Sequence, residues 1–243
     1  MRQSDAWEWV GEGDAPWLFT CEHASARLPE GRAWAAEDAW VAGTHWAVDL
    51  GAADVAVGVA RALGGEVLLA RFSRLWADAN REETSPTLFR SACDGRELAL
   101  NRGLDAAERA RRLHGWWRPW HDEVASAARR RIGQPVVSFH SFTPVYEGGP
   151  PRPMAVGVLF DRDEAWATAL AHVIQAELGP TYAVALNAPW SGRDGLMAGP
   201  EMAARWSGGR VLELEVRQDL ATDPEHRARI VAAFARALAV TPP

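Results

Sequence analysis

The sequence has no lysine: all 26 basic side chains are arginine, so every fixed positive side-chain charge is a planar guanidinium. It has two cysteines, Cys21 and Cys93, too few for a disulfide framework and without the Cys-x-x-Cys spacing of a thiolate metal site. Its longest apolar runs, such as Met154–Phe160, are far too short to span a bilayer. The first nine residues carry acids where a secretory signal needs an apolar stretch, so a cytoplasmic protein is expected. Also missing are a glycine-rich dinucleotide motif, a P-loop and a G-x-S-x-G elbow, which removes the usual nucleotide cradles and a serine-triad hydrolase. A net charge of −6 argues against nucleic acid or an anionic membrane surface as the main partner.

What is present is the composition of a soluble, cored protein, 48% hydrophobic and 24% charged over 243 residues. With no repeat and no linker-like stretch, a single domain over residues 1–243 is expected. Six apolar runs of strand length recur: Trp17–Cys21, Glu66–Phe72, Val136–Phe139, Ala155–Phe160, Ala183–Leu186 and Val211–Val216. Such continuous runs suit strands covered on both faces. Between them lie helical patterns at Val48–Leu63, Leu104–Ile132 (with Pro119 expected to kink or split it), Asp163–Leu178 and Asp223–Leu238. Glycine and proline cluster where elements should end, at Glu147–Pro153 and at Ala198–Pro200. The alternation predicts an α/β fold, a three-layer sandwich around a mostly parallel or mixed sheet.

In open α/β sheets, ligands bind beyond the carboxyl ends of the strands. Four of the six runs deliver chemistry there. The first leads into Glu22-His23, the second into Arg74 and Asp78-Ala79-Asn80-Arg81, the third ends on His140-Ser141, and the last contains Glu213 and Glu215 and exits through Arg217-Gln218-Asp219. Two histidines and a carboxylate are the minimum protein set for a catalytic zinc, and Asp49 and Glu22 are carboxylates available nearby in sequence. The bland alternative is two partly buried rings ending strands. His114, His121, His172 and His226 sit inside helical patterns, where packing or surface roles fit better; His45 precedes a helix, where a supporting place behind the ligands is open but not favoured. Glu213 and Glu215 share one face of their strand, where an apolar setting raises a carboxyl pKa and suits a general base; an ion pair with Arg210 or Arg217 is the alternative. An Arg81 held by Asp78 and Asn80 would present its fork to a substrate carboxylate, with Arg74 and Arg152 as secondary candidates. Cys21 reads as a small buried residue ending a strand rather than a nucleophile, and Trp116, Trp117 and Trp120 read as packing or a lid.

With these residues in place, the chain resembles the N-formylglutamate amidohydrolase family. The matching blocks are Cys21-Glu22-His23-Ala24-Ser25 with Pro29, Asp49-Leu50-Gly51-Ala52, Ser73-Arg74-Leu75 with Asp78-Ala79-Asn80-Arg81, His140-Ser141-Phe142-Thr143-Pro144, Arg152-Pro153 before Val156-Gly157-Val158, Asn187-Ala188-Pro189-Trp190-Ser191, and Leu214 through Leu220. The resemblance implies a phosphorylase/hydrolase-like fold and hydrolysis of an N-acyl amino acid, a small-molecule substrate. It implies one Zn²⁺, or another divalent ion, held by His23, His140 and a carboxylate. Related deacylases carry His-x-x-Glu, whereas here the fourth position is Ala26, so Asp49 is expected as the third ligand and Glu22 is second choice. Glu215 would act as general base. Arg81 with Asn80, Ser141 and Arg152 would contact substrate, and Arg74 or Arg152 would hold a second carboxylate or the oxyanion. An aspartoacylase- or carboxypeptidase-like hydrolase with another acyl group, or a non-catalytic carboxylate-binding module, would use the same residues.

Overall fold

The computed structural model describes residues 2–241. All six apolar runs are strands: β2 (Leu18–Cys21), β3 (Glu66–Ala70), β6 (Val136–Phe142), β7 (Val156–Leu159), β8 (Val184–Leu186) and β9 (Val211–Arg217). A seventh, β1 (Trp7–Gly11), joins them at an edge, and a separate short hairpin is formed by β4 (Ala92–Cys93) and β5 (Arg96–Glu97). The sequence reading missed β1 because its apolar residues are interrupted by Glu8, the ordinary pattern of an edge strand wet on one side. The sheet order is β1-β3-β2-β6-β9-β7-β8.

Strand direction explains why chemistry followed only four of the six runs. β2, β3, β6 and β9 are mutually parallel, so their carboxyl ends open on one rim. β7 runs antiparallel to β9, and β8 follows β7. The two runs whose exits were not singled out for chemistry are the two whose carboxyl ends lie on the opposite rim.

Helices cover both faces. α1 (Ala52–Ala62), α4 (Glu164–Leu178) and α7 (Pro224–Val240) pack Val55, Leu170, Ile174 and Phe234 against Phe19, Phe139 and Leu214. On the other face, α3 (Arg118–Arg129) and α5 (Ala198–Ser207) pack Trp120, Val124 and Ala203 against Leu18, Leu68 and Val136. Trp120 is fully buried, which makes it packing rather than lid. The helix expected over Leu104–Ile132 is broken ahead of Pro119: α2 (Ala106–Arg112) passes through a π-helical turn at Leu113–Trp117 before α3 begins. Proline lacks the N–H that would bond four residues back and its ring crowds that carbonyl, so the wider turn in front of it absorbs the mismatch. Ala198–Pro200, expected to end an element, instead opens α5, because proline costs nothing in a first turn whose N–H groups have no helical partner. A short α6 (Gln218–Thr222) links β9 to α7. No helix among the described residues is long and apolar enough to cross a membrane.

Side chains alternate across a strand. Because Val137, Phe139, Leu212 and Leu214 face the α1 side, Ser138, His140, Glu213 and Glu215 face the α5 side. The register sets Thr20 beside Ser138 beside Glu213, and His140 beside Glu215 one pleat further on. The carboxyl half of this face is thus a polar patch inside an otherwise apolar layer.

His121, on α3, packs its ring 4.0 Å from that of Trp117, and its Nε2 is buried without a partner. Burial pushes its pKa down to about 4. An unfolded chain binds this proton near pH 6.5 while the folded chain refuses it until about pH 4, so acid lowers stability across that window by up to about 3 kcal/mol. Denaturant titrations of His121→Gln between pH 7 and 4 are expected to show a flatter pH dependence than the parent; an unchanged slope would remove His121 as the cause.

Candidate active site

The rim of parallel strand ends encloses a cavity of about 180 Å³. His23, at the exit of β2, and His140, near the end of β6, face each other edge to face with ring centroids 4.8 Å apart. Their Nδ1 atoms are 3.1 Å apart, and Asp49 Oδ2 lies 2.9 Å from the Nδ1 of His140 and 3.4 Å from that of His23. All three side chains are buried. They are 117 residues apart at most in the chain, yet their donor atoms meet within one small triangle.

The far side of each ring is anchored. His23 Nε2 donates to Asp78 Oδ1 at 2.7 Å, and His140 Nε2 donates to Glu22 Oε2 at 3.2 Å. With both Nε2 atoms protonated, both Nδ1 lone pairs point at the centre, toward each other and toward the Asp49 carboxylate. Three converging acceptors repel one another unless a proton or a metal cation sits between them. The surrounding charge points the same way: Glu22, Asp49, Asp78, Glu213 and Glu215 are all buried, against the single guanidinium of Arg74 that bonds into the cluster. Burial opposes a charged His140, yet Glu213, Asp49 and Glu22 together raise its pKa well above the usual range. This pocket draws positive charge inward.

Each anchor is itself fixed. Asp49 Oδ2 accepts the Ser141 backbone N–H, and Asp49 Oδ1 accepts from Arg74. The Asp49 turn continues into Gly51, whose φ of +80° and approach to Ala221 (a Cβ would sit 2.5 Å from the carbonyl oxygen) admit only glycine. Burial opposes ionisation of Asp78, but Arg74 and His23 hold it well below the ordinary carboxylate range. Glu22 accepts from Thr20 Oγ1 and Ser138 Oγ, its neighbours on the polar patch.

Nine of the residues expected from the sequence line this cavity: His23, Asp49, Arg74, Asn80, Arg81, His140, Ser141, Arg152 and Glu215. Glu22 does not. It lies behind His140 as that ring's acceptor, because the β2 exit turns its carboxylate into the Thr20/Ser138 pair. Asn80 stands at the wall, but its amide is already engaged: Oδ1 accepts from Gly199 N–H at 2.7 Å, and Nδ2 donates to Leu196 O and Glu213 Oε2. The Ser141 hydroxyl likewise donates to Leu50 O. Arg81 is not oriented by the side chains of Asp78 and Asn80, which are occupied elsewhere; its guanidinium donates only to the Asn80 carbonyl, its backbone N–H donates to the Asp78 carbonyl, and Trp117 Nε1 fixes Arg81's own carbonyl. The guanidinium that Asp78 does hold is that of Arg74, clamped between Asp49 and Asp78.

Arg152 precedes β7, whose reversed direction brings its start to the active rim. Its guanidinium lies 4.8 Å from the Trp190 ring, 5.2 Å from Tyr146 and 5.7 Å from Phe142, and bonds only to the Thr143 carbonyl. Glu215 is buried, with Oε2 unpartnered; burial, then the charge of Glu213, raises its pKa well above the usual carboxylate value. Cys21 is fully buried and burial raises its thiol pKa, in keeping with an inert residue. The sequence reading missed Trp46, Arg90 and Tyr146, which enter the wall from loops and carry no motif, although Trp46 lies three residues before Asp49 and Tyr146 five after Ser141.

The sequence profile of the N-formylglutamate amidohydrolase family matches residues 15–222. The chain belongs to that family. Its reaction class is therefore hydrolysis of amide bonds. Among solved structures, the gene product Atu2144 from Agrobacterium tumefaciens is 31% identical, with a TM-score of 0.80 over 96% of this chain and 95% of that one. An N-formylglutamate amidohydrolase from Ralstonia eutropha JMP134 is 21% identical with a TM-score of 0.70, over 98% of this chain and 99% of that one, and shares the fold. No curated protein matches this chain.

Proposed function

We propose that the protein hydrolyses the amide of an N-formyl amino acid, N-formylglutamate being the reference substrate, with the help of a divalent cation held by His23 Nδ1, His140 Nδ1 and Asp49 Oδ2. The observation that carries this reading is the triangle of acceptors. Its edges of 2.9–3.4 Å match the ~3.3 Å separation of ligand atoms around a tetrahedral ion with bonds of ~2.0–2.1 Å. Two imidazoles and one carboxylate, each ring backed by a carboxylate, are a donor set suited to zinc. When bound, such an ion supplies Lewis acidity, which eases deprotonation of water and polarises a carbonyl.

The chain's own groups do the rest. Glu215, unpartnered and with a raised pKa, takes a proton from the attacking water. As the water oxygen bonds to the formyl carbon and the C–N bond breaks, Glu215 delivers that proton to the leaving nitrogen. Formate and the free amino acid are the products. Arg81 and Arg152, bonded only to backbone carbonyls, keep N–H groups free for the two carboxylates of the substrate. The rings around Arg152 hold its guanidinium flat and limit its motion.

Protein purified without added metal, analysed for metal content and for formate release, tests the reading. Close to one divalent ion per chain is expected, with N-formylglutamate cleaved at least about tenfold faster than N-acetylglutamate, since a site that takes a formyl hydrogen would discriminate against an added methyl by about that much. Acetate or a carboxy-terminal residue released faster than formate would favour an aspartoacylase- or carboxypeptidase-like hydrolase instead. Protein without metal and without any of these activities would return the cleft to a carboxylate-binding role.

A further inference from the structure

Gln218 is the first residue of α6, three positions beyond Glu215 at the same rim, and its side chain lines the cavity. It is more than nine-tenths buried, and its Nε2 meets no acceptor in the protein. A buried amide donor left without a partner carries a desolvation cost, and folded chains keep few of them. Several other buried polar atoms here are also unpartnered, including those of Trp40, Trp76, Trp120 and Gln134, but these lie away from the cavity. His45 does line it, with a ring that is only half-buried. Among the described residues, Gln218 and Glu215 are thus the two side chains of the cavity wall that are more than nine-tenths buried and have an unpartnered atom.

Their chemistry is complementary to one ligand group. A carboxylate accepts, and a carboxamide N–H donates. A secondary amide offers the reverse pair, an N–H and a carbonyl oxygen on adjoining atoms. Of the other polar groups in the wall, the Asn80 amide is engaged with Gly199, Leu196 and Glu213, the Ser141 hydroxyl with Leu50, and Arg74 with Asp49 and Asp78, while the free N–H groups of Arg81 and Arg152 are assigned above to the carboxylates of the substrate. The terminal torsion of glutamine is soft, so the carboxamide turns its N–H toward a ligand at little cost.

We propose that the Gln218 carboxamide contacts the scissile amide, its Nε2 donating to the carbonyl oxygen on which negative charge develops. This rests on the amidohydrolase reading above and names a residue that discriminates an amide from other carboxylate ligands of the cleft. Gln218 is therefore held unsatisfied in the free protein and satisfied as the reaction proceeds, the arrangement that lowers a barrier rather than merely tightening binding.

The test compares Gln218→Met, of similar length without a donor, and Gln218→Glu, which offers acceptors only, with the parent on N-formylglutamate, alongside thermal unfolding of the metal-free proteins. The expected result is a fall in kcat of about 10²–10³ with KM changed far less, while Gln218→Met melts at the parental temperature or a few degrees above it, because a frustrated buried donor has been removed. A residue with only a structural role would give the opposite pattern, a lower melting temperature with near-normal kcat in the folded fraction, and would overturn the assignment. Parent protein that cleaves N-formylglutamate while Gln218→Met keeps kcat within about threefold would overturn it and spare the proposed function. A parent inactive on every amide tried would overturn both.

Discussion

Alanine at His23 or at His140 is expected to empty the proposed cation site and to lower kcat/KM by about 10³ or more, since the Lewis acidity lost is worth several kcal/mol at the transition state. The two variants should behave alike, because each ring contributes one Nδ1 to the same triangle. Metal content measured after gel filtration separates this from unfolding, and circular dichroism checks that the sheet persists. The anchors behind the rings give a graded version of the same experiment. Glu22→Gln and Asp78→Asn retain the ligands but loosen the tautomer and orientation of His140 and His23, and should weaken metal affinity by about 10–100-fold. A Glu22→Gln that lost metal as completely as His140→Ala would make Glu22 a ligand and displace Asp49 from that role. Full metal occupancy in both alanine variants would remove the site.

Glu215→Gln carries the second large effect. It keeps the size and hydrogen-bonding capacity of the side chain and removes only its ability to take a proton, so kcat should fall by about 10²–10⁴ while metal content stays at the parental level. The pH dependence follows from the direction of the pKa shift. The base works only when ionised, and burial beside Glu213 raises its pKa, so kcat falls as acid is added through a value above the ordinary carboxylate range of about 4.3. That acid limb should vanish in the glutamine variant. Stability moves in the opposite sense. A carboxyl whose pKa is higher folded than unfolded favours the folded state less once it is ionised, so Glu215→Gln should be the more stable protein at neutral pH and lose that advantage in acid. Wild-type kcat in Glu215→Gln would transfer the base assignment elsewhere, with Glu213 the first residue to test.

How far the sequence alone reaches depends on the scale of the pattern. Six strands were legible because each is a nearly continuous apolar run, including the partly exposed β8 at the other edge of the sheet. β1 was not, because an edge strand such as Trp7–Gly11 mixes Glu8 with its tryptophans. His23, His140 and Glu215 could be chosen because they end or interrupt apolar runs, where a polar side chain needs a reason. The division of labour among carboxylates could not be read in this way. Glu22 adjoins His23 in the chain, but the strand exit turns it toward Thr20 and Ser138, and it serves the other histidine. Asp49, 26 positions on, arrives through a turn pinned by Gly51. In the same way Asp78 and Asn80 both closely precede Arg81 in sequence, yet backbone geometry sends the one to His23 and Arg74 and the other to the first turn of α5. Adjacency along the chain is a poor guide where the backbone changes direction at every residue.

The reversal of β7 has an engineering consequence. The turn from β7 into α4, at Phe160–Glu164, emerges on the face of the molecule turned away from the cleft. A peptide tag or an entire folded passenger spliced into that turn would hang behind the enzyme and leave turnover intact, whereas the same cargo placed after Cys21 or Ala70 would block the substrate's way in.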